Sequence, residues 1–108
     1  MGNSPSGLAF DGSCIWVANH GDNMVTKLSA NEGQILQSIP TGTGPGWIAF
    51  DGANVWVTNW ASNTVTQIRA SDGAVLGTFA TASQPAAVVF DGAHIWVANY
   101  RSNTVSQY

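Results

Sequence analysis

The tripeptide Phe-Asp-Gly occurs at residues 10–12, 50–52 and 90–92, a period of 40 residues, and the register holds well beyond it. Pro5, Pro45 and Pro85 precede the units, Trp16, Trp56 and Trp96 follow the Phe by six residues, and Asn19, Asn59 and Asn99 follow it by nine. Asn23, Asn63 and Asn103 come next, two residues before Val25, Val65 and Val105. Aligned without gaps, 45–68 and 85–108 are identical at 13 of 24 positions, which chance composition does not produce. A repeat of this length marks a supersecondary unit that buries its apolar faces against neighbouring copies of itself.

Each unit reads as four short strands, a to d, separated by turn residues. In the first unit strand a holds Leu8-Ala9-Phe10, and Asp11-Gly12 turns the chain into strand b, Ile15-Trp16-Val17-Ala18. Asp-Gly suits that turn because glycine accepts positive φ and the Asp side chain bonds nearby backbone. An Asn-rich turn then leads to strand c, Val25 to Leu28, and a polar turn at Asn31-Glu32-Gly33 leads to strand d, Ile35 to Ile39. No segment carries the i, i+3, i+4, i+7 apolar pattern of an amphipathic helix, so the chain reads as all-β.

Strand b selects the architecture. Ile15-Trp16-Val17, Val55-Trp56-Val57 and Ile95-Trp96-Val97 are apolar without a break, which is the pattern of a strand covered on both faces. Four-stranded antiparallel sheets at a 40-residue period, each covered on both faces by its neighbours, are β-propeller blades. The chain then divides into an N-terminal leader at 1–4, blade 1 at 5–44, blade 2 at 45–84 and blade 3 at 85–108, the last without strand d.

The blade pattern resembles the YVTN β-propeller repeat, with Val17-Ala18-Asn19, Val57-Thr58-Asn59 and Val97-Ala98-Asn99 in the position of its signature. It is also similar to the blades of virginiamycin B lyase-type proteins. The resemblance covers residues 5 to 108 and is specific for fold; propellers host many unrelated activities. It implies an extracytoplasmic setting, although the N-terminus has no basic segment followed by an apolar stretch.

About 2.7 blades fall short of the four to eight of a closed propeller. The end blades are expected to expose the apolar side chains of Ile15-Trp16-Val17 and Ile95-Trp96-Val97, and such faces mark interfaces. Head-to-tail closure about an axis follows as the expected assembly. Two chains give six blades, the favoured ring, and three give nine. The alternative is that the chain is a fragment of a larger lyase- or lactonase-like propeller enzyme.

Antiparallel alternation puts the a–b and c–d turns on one face of the blades and the b–c turns and d–a crossings on the other. On the second face the units differ where they are expected to be exposed: His20, Trp60 and Tyr100 at one repeat position, Gly21, Ala61 and Arg101 at the next, and Gly7, Trp47 and Ala87 at the start of strand a. His20, Trp47, Trp60, Tyr100 and Arg101 are therefore the candidate ligand-binding residues. Flat aromatics beside amides suit a carbohydrate or another planar ligand. The shared Asn19, Asn59 and Asn99 are expected to serve the scaffold by bonding turn backbone.

Catalysis finds little support. The two histidines, His20 and His94, sit at opposite ends of strand b in different blades, and the single Glu, Glu32, lies in a c–d turn on the face opposite His20. The His and Glu set that the lyase resemblance implies is thus missing from this chain. Asp11, Asp51 and Asp91 lie in separate blades, whereas calcium draws several oxygens from one loop. No cofactor and no metal are expected. Three isolated basic residues, Lys27, Arg69 and Arg101, against six acidic ones give a net charge of −3, which leaves no footprint for nucleic acid or an anionic membrane. No apolar run approaches the ~18 residues of a membrane span. Cys14, the single cysteine, excludes an intrachain disulfide and a multi-thiolate zinc site.

Overall fold

The structure is a computed structural model, and it describes residues 4–108. The leader assigned to residues 1–4 lies outside the described residues except for Ser4. Among the described residues, eleven strands form three antiparallel sheets. Blade 1 contains β1 (Pro5–Phe10), β2 (Cys14–Asn19), β3 (Met24–Ser29) and β4 (Ile35–Pro40), hydrogen-bonded in that order. Blade 2 repeats it with β5 (Pro45–Phe50), β6 (Asn54–Asn59), β7 (Thr64–Arg69) and β8 (Val75–Ala80). Blade 3 holds β9 (Pro85–Phe90), β10 (Ile95–Asn99) and β11 (Thr104–Gln107). The strands are mostly a few residues longer than the apolar segments alone predict, because each extends to the flanking turn residues.

Between blades, the tightest packing runs between the innermost strands, β1 on β5 and β5 on β9. Successive residues of a strand point to opposite faces, so each blade has a forward face toward the next blade and a rear face toward the previous one. Trp16, Ala18, Val25 and Ile39 of blade 1 pack forward onto Ile48, Val55, Val57, Ile68 and Ala70 of blade 2. Trp56 and Val65 of blade 2 pack forward onto Val88, Ile95 and Val97 of blade 3. Strand b is therefore continuously apolar because alternate residues serve two different joints.

The same alternation corrects the expectation for the end blades. Trp16 faces blade 2 and is buried, as are Ile95 and Val97, which face blade 2 from the other side. Val17 is buried as well. What stands open is Leu8 and Phe10 on the rear of blade 1, with Ile15 half-buried, and Val89, Ala98 and Val105 on the front of blade 3, with Trp96 half-buried.

Polar groups stitch the joints. The Ser6 hydroxyl lies 3.2 Å from the Gly46 carbonyl oxygen, and the Thr58 hydroxyl donates to Ala86 O at 2.8 Å. The hydroxyl comes from strand a in the first joint and strand b in the second, yet it reaches the same repeat position, 46 and 86. Lys27 Nζ donates to Ala70 O at 2.8 Å and lies 5.2 Å from the centre of the Trp16 ring. The Tyr108 hydroxyl donates to the Ala80 carbonyl at 2.6 Å, while its ring packs against Trp56 and Phe79. Gly7 is required by the first joint, since a Cβ there would collide with the Gly46 carbonyl oxygen.

The d–a crossings explain the repeated Asn23 and Asn63. Both adopt positive φ, 58° and 56°, a region that Asn tolerates better than most residues. Their Oδ1 atoms accept the backbone N–H of Gly44 at 2.9 Å and of Gln84 at 2.8 Å. Gly44 and Gln84 are themselves at φ 69° and 54°. For Gln84 that conformation carries left-handed strain of about 1–2 kcal/mol, and the following Pro85 restricts it further. Gln84→Gly is expected to relieve the strain, less the entropy glycine loses on folding, for a net gain of roughly 0.5–1 kcal/mol. Urea unfolding of the two proteins checks this; a lower midpoint for the glycine variant would contradict it.

Candidate functional site

The site residues are positioned by backbone bonds at the b–c turns. The N–H groups of His20, Trp60 and Tyr100 donate to the carbonyls of Ser4, Gly44 and Gln84 at 3.0, 2.9 and 2.9 Å. These bonds hold the variable position just beyond strand b, beside the entry of strand a. Trp60 and Tyr100 from neighbouring blades stack, with ring centroids 6.1 Å apart at an interplanar angle of 29°. Tyr100 is 71% exposed and Trp60 half-buried, so the pair presents an open aromatic surface.

Trp47 lies on the innermost strand β5, 48% exposed, at a register irregularity in the pairing of β5 with β6. It makes no ring contact with the Trp60–Tyr100 pair. His20 is exposed and lies against Gly44, where a Cβ would come within 3.3 Å of Nε2. Arg101 is exposed beside Tyr100. Of the five candidate residues, direct contact thus joins Trp60 and Tyr100.

Asn19, Asn59 and Asn99 do not bond turn backbone through their side chains. They are buried, and their Nδ2 groups donate across the hairpin to Thr26, Thr66 and Ser106 at 2.7, 2.8 and 2.9 Å. Their place on strand b directs the amide across to strand c, where Asn59 and Asn99 also donate to Thr64 and Thr104 at the strand's first residue, at 3.1 and 3.3 Å. This is a scaffold role by a different route from the expected one.

On the opposite face, the aspartates do more than turn the chain. Asp11 Oδ1 accepts the backbone N–H of Ser13 and Cys14 at 2.9 and 2.7 Å, and Oδ2 accepts the Trp16 Nε1–H at 2.8 Å. Asp51 and Asp91 repeat the arrangement with Trp56 and Trp96. Each repeat's Asp and Trp are therefore one device, with both carboxylate oxygens engaged. Burial pushes the Asp11 and Asp51 carboxyls up, but the indole and backbone N–H donors outweigh it and hold both below the ordinary 3.8. At Asp91 the Trp96 indole, followed by the His94 and Ala93 amides, lowers the value to about 2. At Asp72, the Ala74 amide is the main cause of a lowered value.

The pH dependence follows. A carboxyl whose pKa is depressed by folding stabilises the fold above its unfolded value and loses that contribution as pH falls toward the folded value. Stability carried by these aspartates is expected to be complete above about pH 5 and to decline from about pH 4 toward pH 2. Acid titration monitored by tryptophan fluorescence checks it; a decline centred near pH 6 would assign the loss to other groups.

A cleft of about 560 Å³ opens beside these turns between blades 1 and 2, bordered by Asp11, Cys14, Lys27, Asn54 and Arg69. Lys27 was not among the candidates from sequence. The available signal was a lone cation at a position where the other units carry Gln67 and Gln107. Its ammonium is engaged in the joint, as described above. His20 follows β2 and His94 precedes β10, so the two histidines lie at opposite ends of their strands, and Glu32 lies in the β3–β4 turn.

No protein-family profile matches the chain, and no curated protein sequence matches it significantly. Among solved structures it is similar to the hydrazine synthase of Kuenenia stuttgartiensis, with a TM-score of 0.83 and 22% identity over 89% of this chain. That protein contains a β-propeller. The chain is built of β-propeller blades. It spans 29% of the length of the hydrazine synthase chain, and at this identity the likeness is one of fold alone.

Proposed function

We propose that this chain is a propeller repeat module of the YVTN type that closes head to tail into a ring of copies and serves as a non-catalytic binding scaffold. The observation that carries the reading is the contrast at one repeat position: Val25 and Val65 are 0% exposed inside the two joints, while Val105 is 63% exposed on the open front of blade 3. A six-bladed ring of two chains is favoured over nine blades from three. Light scattering on the purified chain is expected to give the mass of two chains. A chain that stays monomeric at about 100 micromolar would overturn the ring.

The ligand surface in this reading is the b–c and d–a face, with the Trp60–Tyr100 stack at its centre and His20, Trp47 and Arg101 around it. Exposed aromatic rings stack on the apolar faces of sugars or other planar molecules. Titration of intrinsic fluorescence with a panel of neutral oligosaccharides tests this. Trp60→Ala and Tyr100→Ala are expected to abolish the response while leaving the assembly mass intact; loss of assembly instead would make the pair a structural contact.

A second reading has one observation in its favour: the chain spans 29% of a longer propeller-containing neighbour. Under it, the chain is part of a lyase- or lactonase-like propeller enzyme whose other blades carry the reacting groups. A reading frame that runs on through further blades after Tyr108 would favour it over ring closure.

A further inference from the structure

The two joints inside the chain describe how a third would be made. In each, an Asn at positive φ at the start of strand c locks the entry of the next blade. Asn23 Oδ1 takes the N–H of Gly44, and Asn63 Oδ1 takes that of Gln84. Asn103 occupies the same repeat position at φ 56°, and its side chain meets no partner among the described residues. Ser4 occupies the position of Gly44 and Gln84, directly before Pro5, and it too is left-handed, at φ 54°. Serine gains nothing by itself from that conformation. The Asn and the blade entry thus stand at opposite ends of the chain, each in the backbone geometry it has within a formed joint.

The apolar surfaces match in the same way. Leu8 is 69% exposed on the rear of blade 1, where its counterparts Ile48 and Val88 are 8% and 9% exposed inside joints. On the front of blade 3, Val89, Ala98 and Val105 are exposed. We infer that a second copy of this chain seats the rear of its first blade on the front of blade 3, with Asn103 of one copy accepting the Ser4 N–H of the next. This rests on the ring reading above and identifies the contact that closes it. The joint is heterologous, joining two different surfaces, so it leaves the rear of one copy and the front of the other free, and these are satisfied together when the copies close into a ring.

One feature of the internal joints is missing from this one. Ser6 and Thr58 each supply a hydroxyl to the backbone carbonyl at position 46 or 86. The corresponding residues of blade 3 are Ala86 and Ala98, so the Ser6 carbonyl of the incoming copy receives no hydroxyl. Ala98→Thr, which copies Thr58, adds that donor at an exposed position and is expected to tighten association about 2- to 10-fold.

Sedimentation equilibrium of the full chain tests the inference with three variants. Ala98→Thr is expected to associate more tightly than the native chain. Asn103→Gly, which keeps the left-handed backbone and removes the amide, is expected to weaken association about 10-fold. Val105→Asp is expected to be monomeric with an unchanged circular dichroism spectrum. Self-association indifferent to all three would overturn this joint while leaving assembly by another surface; a native chain monomeric at about 100 micromolar would overturn the ring reading as well.

Discussion

Trp16→Ala is expected to lower unfolding free energy by about 3–5 kcal/mol, the loss that follows removal of a large buried aromatic. Trp16 is fully buried in the joint between blades 1 and 2, packed with Val25, Ile48 and Val57. Its removal also takes the partner from Asp11 Oδ2 and the ring from beneath the Lys27 ammonium. A domain of this size has roughly 5–15 kcal/mol in total, so the variant is expected to be largely unfolded near body temperature. Trp96→Ala is the internal comparison. Trp96 keeps the same bond to Asp91 but is only half-buried on the open front of blade 3, so its loss in the monomer is smaller. Equal losses in chemical denaturation would mean that inter-blade packing is not what Trp16 contributes.

Asp51→Ala carries the second large effect, about 2 kcal/mol after allowance for partial solvent access to the carboxylate. The substitution removes the acceptor for the N–H groups of Ala53 and Asn54 and leaves the indole N–H of buried Trp56 without its partner. Asp51→Asn keeps an oxygen for the turn amides but turns an NH₂ toward the indole N–H, so it is expected to recover part of the loss. The pair separates turn capping from indole satisfaction. The same exchange at Asp91 is expected to cost less, because Trp96 is less buried than Trp56. Thermal unfolding of the four variants checks the order, and an Asp51→Asn variant as unstable as Asp51→Ala would place the whole effect on the indole.

These effects show how function and stability divide between the two faces of the blades. The a–b turns are committed to the fold, since every Asp there uses both oxygens on its own turn and tryptophan. The b–c face carries side chains that the scaffold holds by their backbone alone, His20, Trp60 and Tyr100 being placed by N–H bonds to the crossing strands. Their side chains are free to differ without cost to the sheet. Variation among the repeats at this position therefore follows from the way the backbone is satisfied.

What was readable in the chain was local. The Asp-Gly turns, the unbroken apolar strand b and the 40-residue period act over a few residues or repeat them, and they determined strands, turns, blade architecture and the face on which the aromatics lie. What required the folded molecule was direction and partnership. Sequence alternation could not say which neighbour Trp16 and Val17 face, and so misjudged what the end blades expose. It placed Asn19 in the turn because Asn favours turns, whereas burial on strand b sends its amide to Thr26. Lys27 reaches Ala70 across 43 residues, and Trp60 meets Tyr100 across 40. Such contacts are set by the packing of whole blades, which joins residues that no short-range pattern relates.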